Sequence, residues 1–415
     1  MSDARVTVLP SRPAARADGA CTLDLLVTVA PPAAVPRADR PPLNLGLVID
    51  RSGSMGEARK LAYAKEAATF AVRELGPADR VSVTVFDDRV ETIVPNGVAD
   101  KSRVAALIAA VTPRGSTALH GGWAEGAAQV KGGLVAGGLN RVLLLSDGLA
   151  NVGESRPDVI ATDVHRRARD GVGTSAVGLG ADYNEDLLEA MARSGDGNYY
   201  YVESPAQLPA LFAAELQGLT ATAGTDATLT VESAPGVAFA EVLNDLDTTP
   251  DGKYRLPNLV AGMPVYVVVR VTLPGGEGEV PVARFRVEWT PPDGDVRRVA
   301  VAGLTLPAVP SAVWDALPER PEVRTQAGLL MAARAKKEAT RASEAGDRAG
   351  TLRKLAAARE ELAACPPCAE VATDFDALER LEALHTEDEG RFRKQAKFEA
   401  YQRHRNKPYR PGDKS

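Results

Sequence analysis

The chain has 415 residues, 45% of them hydrophobic and 25% charged, with a formal net charge of -6. At roughly 150 residues per domain this is material for about three domains, and the small acidic excess excludes a surface wholly given to nucleic acid or anionic membrane. Three cysteines cannot build a disulfide framework, the first twenty residues never form the apolar core of a signal peptide, and no stretch approaches the roughly 18 apolar residues that span a bilayer, so a cytoplasmic protein with no membrane partner is expected.

In chain order, residues 21–30 (CTLDLLVTVA) read as one strand, followed by a linker rich in proline up to Pro42. Leu43 to Ile49 is an apolar run suited to a strand buried on both faces. A helix is expected over Ala58–Leu75, stopped by Gly76-Pro77. Arg80–Phe86 and Arg89–Val94 read as paired strands. Helices at 101–111, 118–130, 159–170, 185–193 and 205–217 then alternate with strands at 141–145, 173–179 and 198–202. Such alternation implies an open, doubly wound, mainly parallel α/β sheet, Rossmann-like in architecture.

After Thr220 the texture becomes all-β, with short runs from Ala227 to Ala302 between Gly, Pro and Asp turns, the signals of a β-sandwich. The strand at 21–30 is expected to pair into that sandwich, interleaving the two domains. From Ala316 the composition shifts to helical apolar spacing, broken once at Pro366-Pro367. The expected division is 1–41 (N-terminal strands of the sandwich and linker), 42–218 (α/β domain), 219–310 (β-sandwich), 311–390 (helical bundle or hairpin) and 391–415 (basic tail, partly ordered). The tail holds nine Lys or Arg against Glu399 and Asp413, a local charge of +7, so residues 1–390 carry -13.

In an open α/β sheet ligands sit at the carboxyl ends of the strands. There the first α/β strand runs into Asp50-Arg51-Ser52-Gly53-Ser54, offering a carboxylate and two hydroxyls at alternate positions. Thr117 lies in the loop before a helix, and Asp147 ends the strand begun at Arg141. Asp-x-Ser-x-Ser alone is commonly a turn and helix cap, but three such pieces at one sheet edge point to a metal. All the donors are hard oxygens, which selects Mg²⁺ or a similar ion, Mn²⁺ or Ca²⁺, over zinc or copper. With Asp147 bound through water, the ion would keep positive charge and favour an anionic sixth ligand.

Asp50-x-Ser52-x-Ser54, Thr117 and Asp147, within LVIDRSGSM and LLLSDGLANVG, resemble the metal-ion-dependent adhesion site of the von Willebrand factor type A (VWA) domain. VGLGADYNEDLLEAMARSGDGNYYYVES resembles the bacterial, soluble branch of that family, and the resemblance covers Leu43 to Gln217. It implies that Asp50, Ser52, Ser54 and Thr117 contact the metal, with Asp147 near it and often water-mediated. It implies also a binding module rather than an enzyme, taking an Asp or Glu from a protein partner. Arg51 puts a cation beside the ion, and His120 is a candidate for its rim. Two other functions stay open: a metal-dependent hydrolase at the same site, or a nucleic-acid adaptor acting through the basic tail and its interleaved Phe392, Phe398, Tyr401 and Tyr409. A homo-oligomer is likewise open. Cys365-Pro-Pro-Cys368 lacks the second pair a zinc site needs and reads as a turn between helices.

Overall fold

The computed structural model describes residues 4–33, 40–180, 182–291 and 296–405. They divide into two units, residues 40–222 and residues 4–33 with 223–405. The second unit opens the chain with β1 (Arg5–Pro10), β2 (Ala15–Arg16) and β3 (Cys21–Ala30).

The first unit alternates strand and helix. β4 (Leu43–Asp50) leads into α1 (Lys60–Glu74), then β5 (Arg80–Phe86), β6 (Val90–Val98), α2 (Lys101–Ala109) and α3 (Leu119–Gly132). β7 (Leu139–Ser146), α4 (Pro157–Arg169), β8 (Gly173–Leu179), α5 (Glu185–Ser194), β9 (Asp196–Val202) and α6 (Leu208–Thr220) follow. The sheet order is β6-β5-β4-β7-β8-β9. Only β6 runs antiparallel, against β5. The chain steps outward from β4 to β5 and later returns to β7 on its other side. This reversal of strand order is where α/β sheets open a crevice for ligands.

β4 and β7 are buried along their whole length. Asn44, near the start of β4, is satisfied: it donates to the carbonyls of Val130 and Gly133 and to Asn140 Oδ1 at 2.9–3.0 Å. α3 lies across β4 at two glycines. A Cβ on Gly126 would stand 2.1 Å from Val48 Cγ2, and one on Gly46 would stand 2.5 Å from Val130 Cγ2. The missing methyls set the depth at which α3, and Thr117 just before it, meets the strand ends.

The second unit continues with β10 (Thr222–Ser233), β11 (Ala238–Val242), β12 (Tyr254–Arg255), β13 (Leu259–Val260), β14 (Val265–Leu273), β15 (Glu279–Thr290) and β16 (Arg298–Val309). One sheet is β1-β3-β14-β11 and the other β12-β10-β15-β16-β2, with β13 beside β10. β3 pairs antiparallel with β14 from Cys21↔Leu273 to Val29↔Val265. Period-two alternation sorts its side chains. Leu23, Leu25, Val27 and Val29 enter the core shared with Leu229, Phe285 and Val287 of the other sheet, and Leu26 packs on the opposite face against Val323, Ala327 and Leu330.

Those last residues belong to α8 (Pro321–Glu344), which follows a short α7 (Ser311–Ala316) and precedes α9 (Arg348–Ala363) and α10 (Ala369–Glu387). Cys365 and Cys368 lie in the turn between α9 and α10, and both are free thiols. The basic tail expected from residue 391 is corrected: Glu389–His404 forms a fourth long helix, α11, capped by Asp388 accepting from Arg391 N. Phe392, Phe398 and Tyr401 are buried, so they are not open to stacking on bases, and Tyr409 lies outside the described residues. The cations meet acids: Lys397 on Glu344 at 3.0 Å, Arg403 on Glu370 at 3.0 Å and Arg405 on Asp247 at 3.1 Å. Among the described residues no helix is long and apolar enough to cross a membrane.

Replacing Gly126 with Ala adds about 1 kcal/mol of helix propensity but forces a methyl into a 2.1 Å contact. Overpacking of this kind costs about 1–3 kcal/mol. Gly126→Ala is therefore expected to lower the thermal midpoint, and a midpoint raised by the substitution would show α3 free to move off β4.

Candidate metal centre

β4 ends where Arg51 N donates to Phe86 O of the neighbouring strand at 2.8 Å, and the chain turns out of the sheet. Asp50 is the last residue still inside. Its Oδ1 accepts from Ser52 N at 2.8 Å, the local Asx turn this residue type favours, and its Oδ2 accepts from Ser146 Oγ at 2.5 Å. Asp147 follows Ser146 at the end of β7, so the two carboxylates are side by side and both fully buried.

Polar side chains connect them. Ser52 Oγ lies 3.2 Å from Ser54 Oγ, and Ser54 Oγ donates to Asp147 Oδ1 at 2.8 Å. Thr117 enters from the loop before α3, held by Asn151 Oδ1 accepting from its N–H at 2.8 Å. A Cβ on Gly148 would lie only 3.0 Å from Thr117 Oγ1, so the threonine hydroxyl rests against the residue after Asp147. Main-chain bonds tie the loops to one another: Gly53 N to Gly115 O at 3.1 Å, Arg114 N to Arg51 O at 2.8 Å and Ala118 N to Asp87 O at 2.7 Å. The five residues singled out from the sequence, Asp50, Ser52, Ser54, Thr117 and Asp147, are thus gathered at one place.

The donor set suits a hard cation. Adjacent oxygens around an octahedral Mg²⁺ stand about 3 Å apart, and the Ser52–Ser54 separation of 3.2 Å is close to that value. Among the described residues no three His, Cys, Asp or Glu side chains converge; the set has two carboxylates, and its other donors are hydroxyls. Asp50 is the more perturbed of the two carboxylates. Its burial, reinforced by the neighbouring Asp147, raises its pKa to about 6 against the opposing hydrogen bonds from Ser146 and Ser52.

Arg51, next in the chain, does not pair with Asp50. Its guanidinium turns away to Asp87 Oδ2 at 2.8 Å and Glu91 Oε2 at 2.9 Å, and Arg114 joins Asp87 at 2.6 Å. Burial of Asp87 raises its pKa, but the Arg114 bond, the Arg89 N–H and the Arg51 charge outweigh that and hold it below the usual carboxylate range. His120, a candidate for the rim, stands on α3 with Nε2 3.2 Å from Asp163 of α4.

Sequence reasoning missed two residues. Ser146 lies just past the apolar run 141–145 and nothing local marks it. Lys60 falls within the expected helix Ala58–Leu75 with nothing to set it apart, yet its Nζ donates to Asp147 Oδ2 at 2.6 Å in a buried ion pair. The helix boundary is also corrected. A 3-10 segment spans Gly53–Arg59 and ends with Ala58 and Arg59 at φ 46° and 59°, so α1 begins only at Lys60.

Residues 44–214 match the von Willebrand factor type A domain. The chain is similar to the uncharacterized protein YfbK of Escherichia coli, 30% identical over 198 residues, 47% of this chain and 34% of that protein. The uncharacterized protein sll0103 of Synechocystis is 30% identical over 217 residues, 51% of this chain and 50% of that one. Inter-alpha-trypsin inhibitor heavy chain H3 of Homo sapiens is 28% identical over 178 residues, 40% of this chain and 20% of that one. The chain therefore spans half or less of the length of these curated relatives. Two solved structures share the fold well beyond residues 44–214. A von Willebrand factor type A protein from Catenulispora acidiphila superposes with a TM-score of 0.69 at 17% identity, covering 91% of this chain and 89% of that one. The ArnB paralog VWA2 from Sulfolobus acidocaldarius gives 0.62 at 18%, covering 97% and 99%. The chain carries a VWA domain and has bacterial relatives.

A carboxylate whose folded pKa exceeds its unfolded value of about 3.9 makes the folded state bind more protons between the two, so stability falls as pH rises through that window. For Asp50 the window runs from about 4 to about 6. In metal-free buffer at pH 7.5, Asp50→Asn is expected to raise urea-measured stability by up to about 3 kcal/mol, an advantage that disappears near pH 3.5. An equal gain at both pH values would show that ionisation of Asp50 is not its source.

Proposed function

We propose that the loops after β4 and β7 form a divalent-cation adhesion site through which this chain binds a protein partner, and that the chain is not an enzyme. VWA domains in general mediate protein–protein interaction. What carries the reading here is the run of oxygens from Asp50 through Ser52 and Ser54 to Asp147, with Asp50 buried and no cationic side chain bonded to it among the described residues.

Asp50 would be the charged donor, Ser52, Ser54 and Thr117 would supply neutral oxygens, and Asp147 would stand near the ion and orient water. Mg²⁺ is the ion proposed for the cell, and Mn²⁺ accepts the same donors. The bound ion would offer a Lewis-acidic vertex to an Asp or Glu of the partner. The hydrolase alternative has less support. Asp87 and Glu91, beside the loops, are engaged by Arg51 and Arg114, and His120 faces Asp163. A cytoplasmic location is proposed with it, in keeping with three cysteines that are all free.

Calorimetric titration of the full chain with Mg²⁺ and Mn²⁺ tests the site. One saturable equivalent is expected, weakened at least tenfold by Asp50→Ala, which removes a direct donor, and less by Thr117→Ala. Partners retained from lysate in Mg²⁺ should be released by EDTA and absent with Asp50→Ala. No saturable binding, or the same partners held in EDTA, overturns the proposal.

A further inference from the structure

Asp147 has its two oxygens divided between different neighbours. Ser54 Oγ donates to Oδ1 at 2.8 Å, on the side of the candidate ion, and Lys60 Nζ donates to Oδ2 at 2.6 Å, behind it. Lys60 is itself buried, at 8% exposure, and its side chain passes Gly180 at the end of β8, where an added Cβ would stand 3.7 Å from Cε. The ammonium is thus lodged between the ends of β7 and β8.

Nothing in α1 itself explains a lysine there. A helix N-terminus carries partial positive charge and favours anions, yet α1 opens on Lys60, has no acidic residue in its first turn and no side-chain cap. The turn before it holds Ala58 and Arg59 in the left-handed region at φ 46° and 59°, a conformation costly for residues with a Cβ. The chain accepts an unfavourable dipole, and a strained turn just before it, where a cationic side chain reaches Asp147.

We infer that Lys60 is a built-in counter-charge of the adhesion site, one that weakens its hold on the divalent cation and makes the loaded site demand an anionic partner. The inference rests on the metal reading proposed above and concerns the partner chemistry of that same site. Asp50, Asp147 and Lys60 together carry -1. A divalent ion brings the site to +1, and one carboxylate from a partner brings it to zero. Without Lys60 the loaded site would already be neutral, and the incoming carboxylate would add an uncompensated charge. At separations of a few ångströms, behind buried walls, one unit of charge is felt strongly.

The test compares the full-length wild type with Lys60→Met and Lys60→Arg by Mn²⁺ titration, each with and without acetate as the carboxylate probe. Lys60→Met is expected to bind Mn²⁺ at least tenfold more tightly and to lose the enhancement that acetate gives the wild type. Lys60→Arg, which keeps the charge, should stay within about threefold of wild type. Should Met leave the protein unfolded, Lys60→Gln removes the charge while keeping a donor for Asp147, and the same tightening is expected. Mn²⁺ bound equally, or more weakly, by the folded uncharged variant sinks this inference alone and leaves the metal reading standing. Mn²⁺ bound by neither wild type nor variant sinks both.

Discussion

Two carboxylates, Asp50 and Asp147, are buried at the ends of adjacent parallel strands, with one ammonium, that of Lys60, bonded to Asp147. A carboxylate removed from water without compensating charge is costly, and hydrogen bonds from Ser146, Ser52 and Ser54 offset only part of that cost. The guanidiniums close by do not help, since Arg51 and Arg114 are held on Asp87. The surroundings of the pair can be understood as the structure needed to keep this imbalance in place. Three loops from different parts of the chain are laced by main-chain bonds, so that none can swing outward and hydrate the acids.

The scaffold that holds those loops is rigid for reasons visible in β4 and α3. Strands buried on both faces cannot slide without exposing an apolar row, and parallel pairing on both sides fixes the register of β4 against β5 and β7. Gly46 and Gly126 then let the helix settle onto the strand at backbone distance. The position of Thr117 relative to Asp50 is consequently set by packing several residues away from either.

Much of this was legible in the sequence because it is written in local order. Apolar runs, glycine and proline stops and the short Asp-x-Ser-x-Ser repeat act over a few residues, and several strand limits, such as Arg80–Phe86 and Gly173–Leu179, follow from them directly. The same logic fails where a charge finds its partner far along the chain. Lys60 and Asp147 are 87 residues apart, and nothing around either announces the other. The misread tail has the same cause. Its cations look solvated beside one another, but Glu344, Glu370 and Asp247, drawn from α8, α10 and the loop after β11, are what make Glu389–His404 a packed helix. Arg51 looked like a neighbour of the ion only because sequence position says nothing about where a long side chain turns.

The sheet of β1, β3, β14 and β11 is interrupted in sequence by the entire α/β unit. β3 can pair with β1 as soon as both exist, but its other edge finds β14 only when residues 265–273 are available. The thermodynamic cost of so long a closure is small, since loop entropy grows only with the logarithm of length. The kinetic cost is larger, because non-local pairing is slow and an apolar strand edge left open invites the wrong neighbour. During synthesis the α/β unit, whose strands pair among themselves, is therefore complete while β3 still waits. The α/β unit is in place before the sheet whose strands flank it in sequence can close.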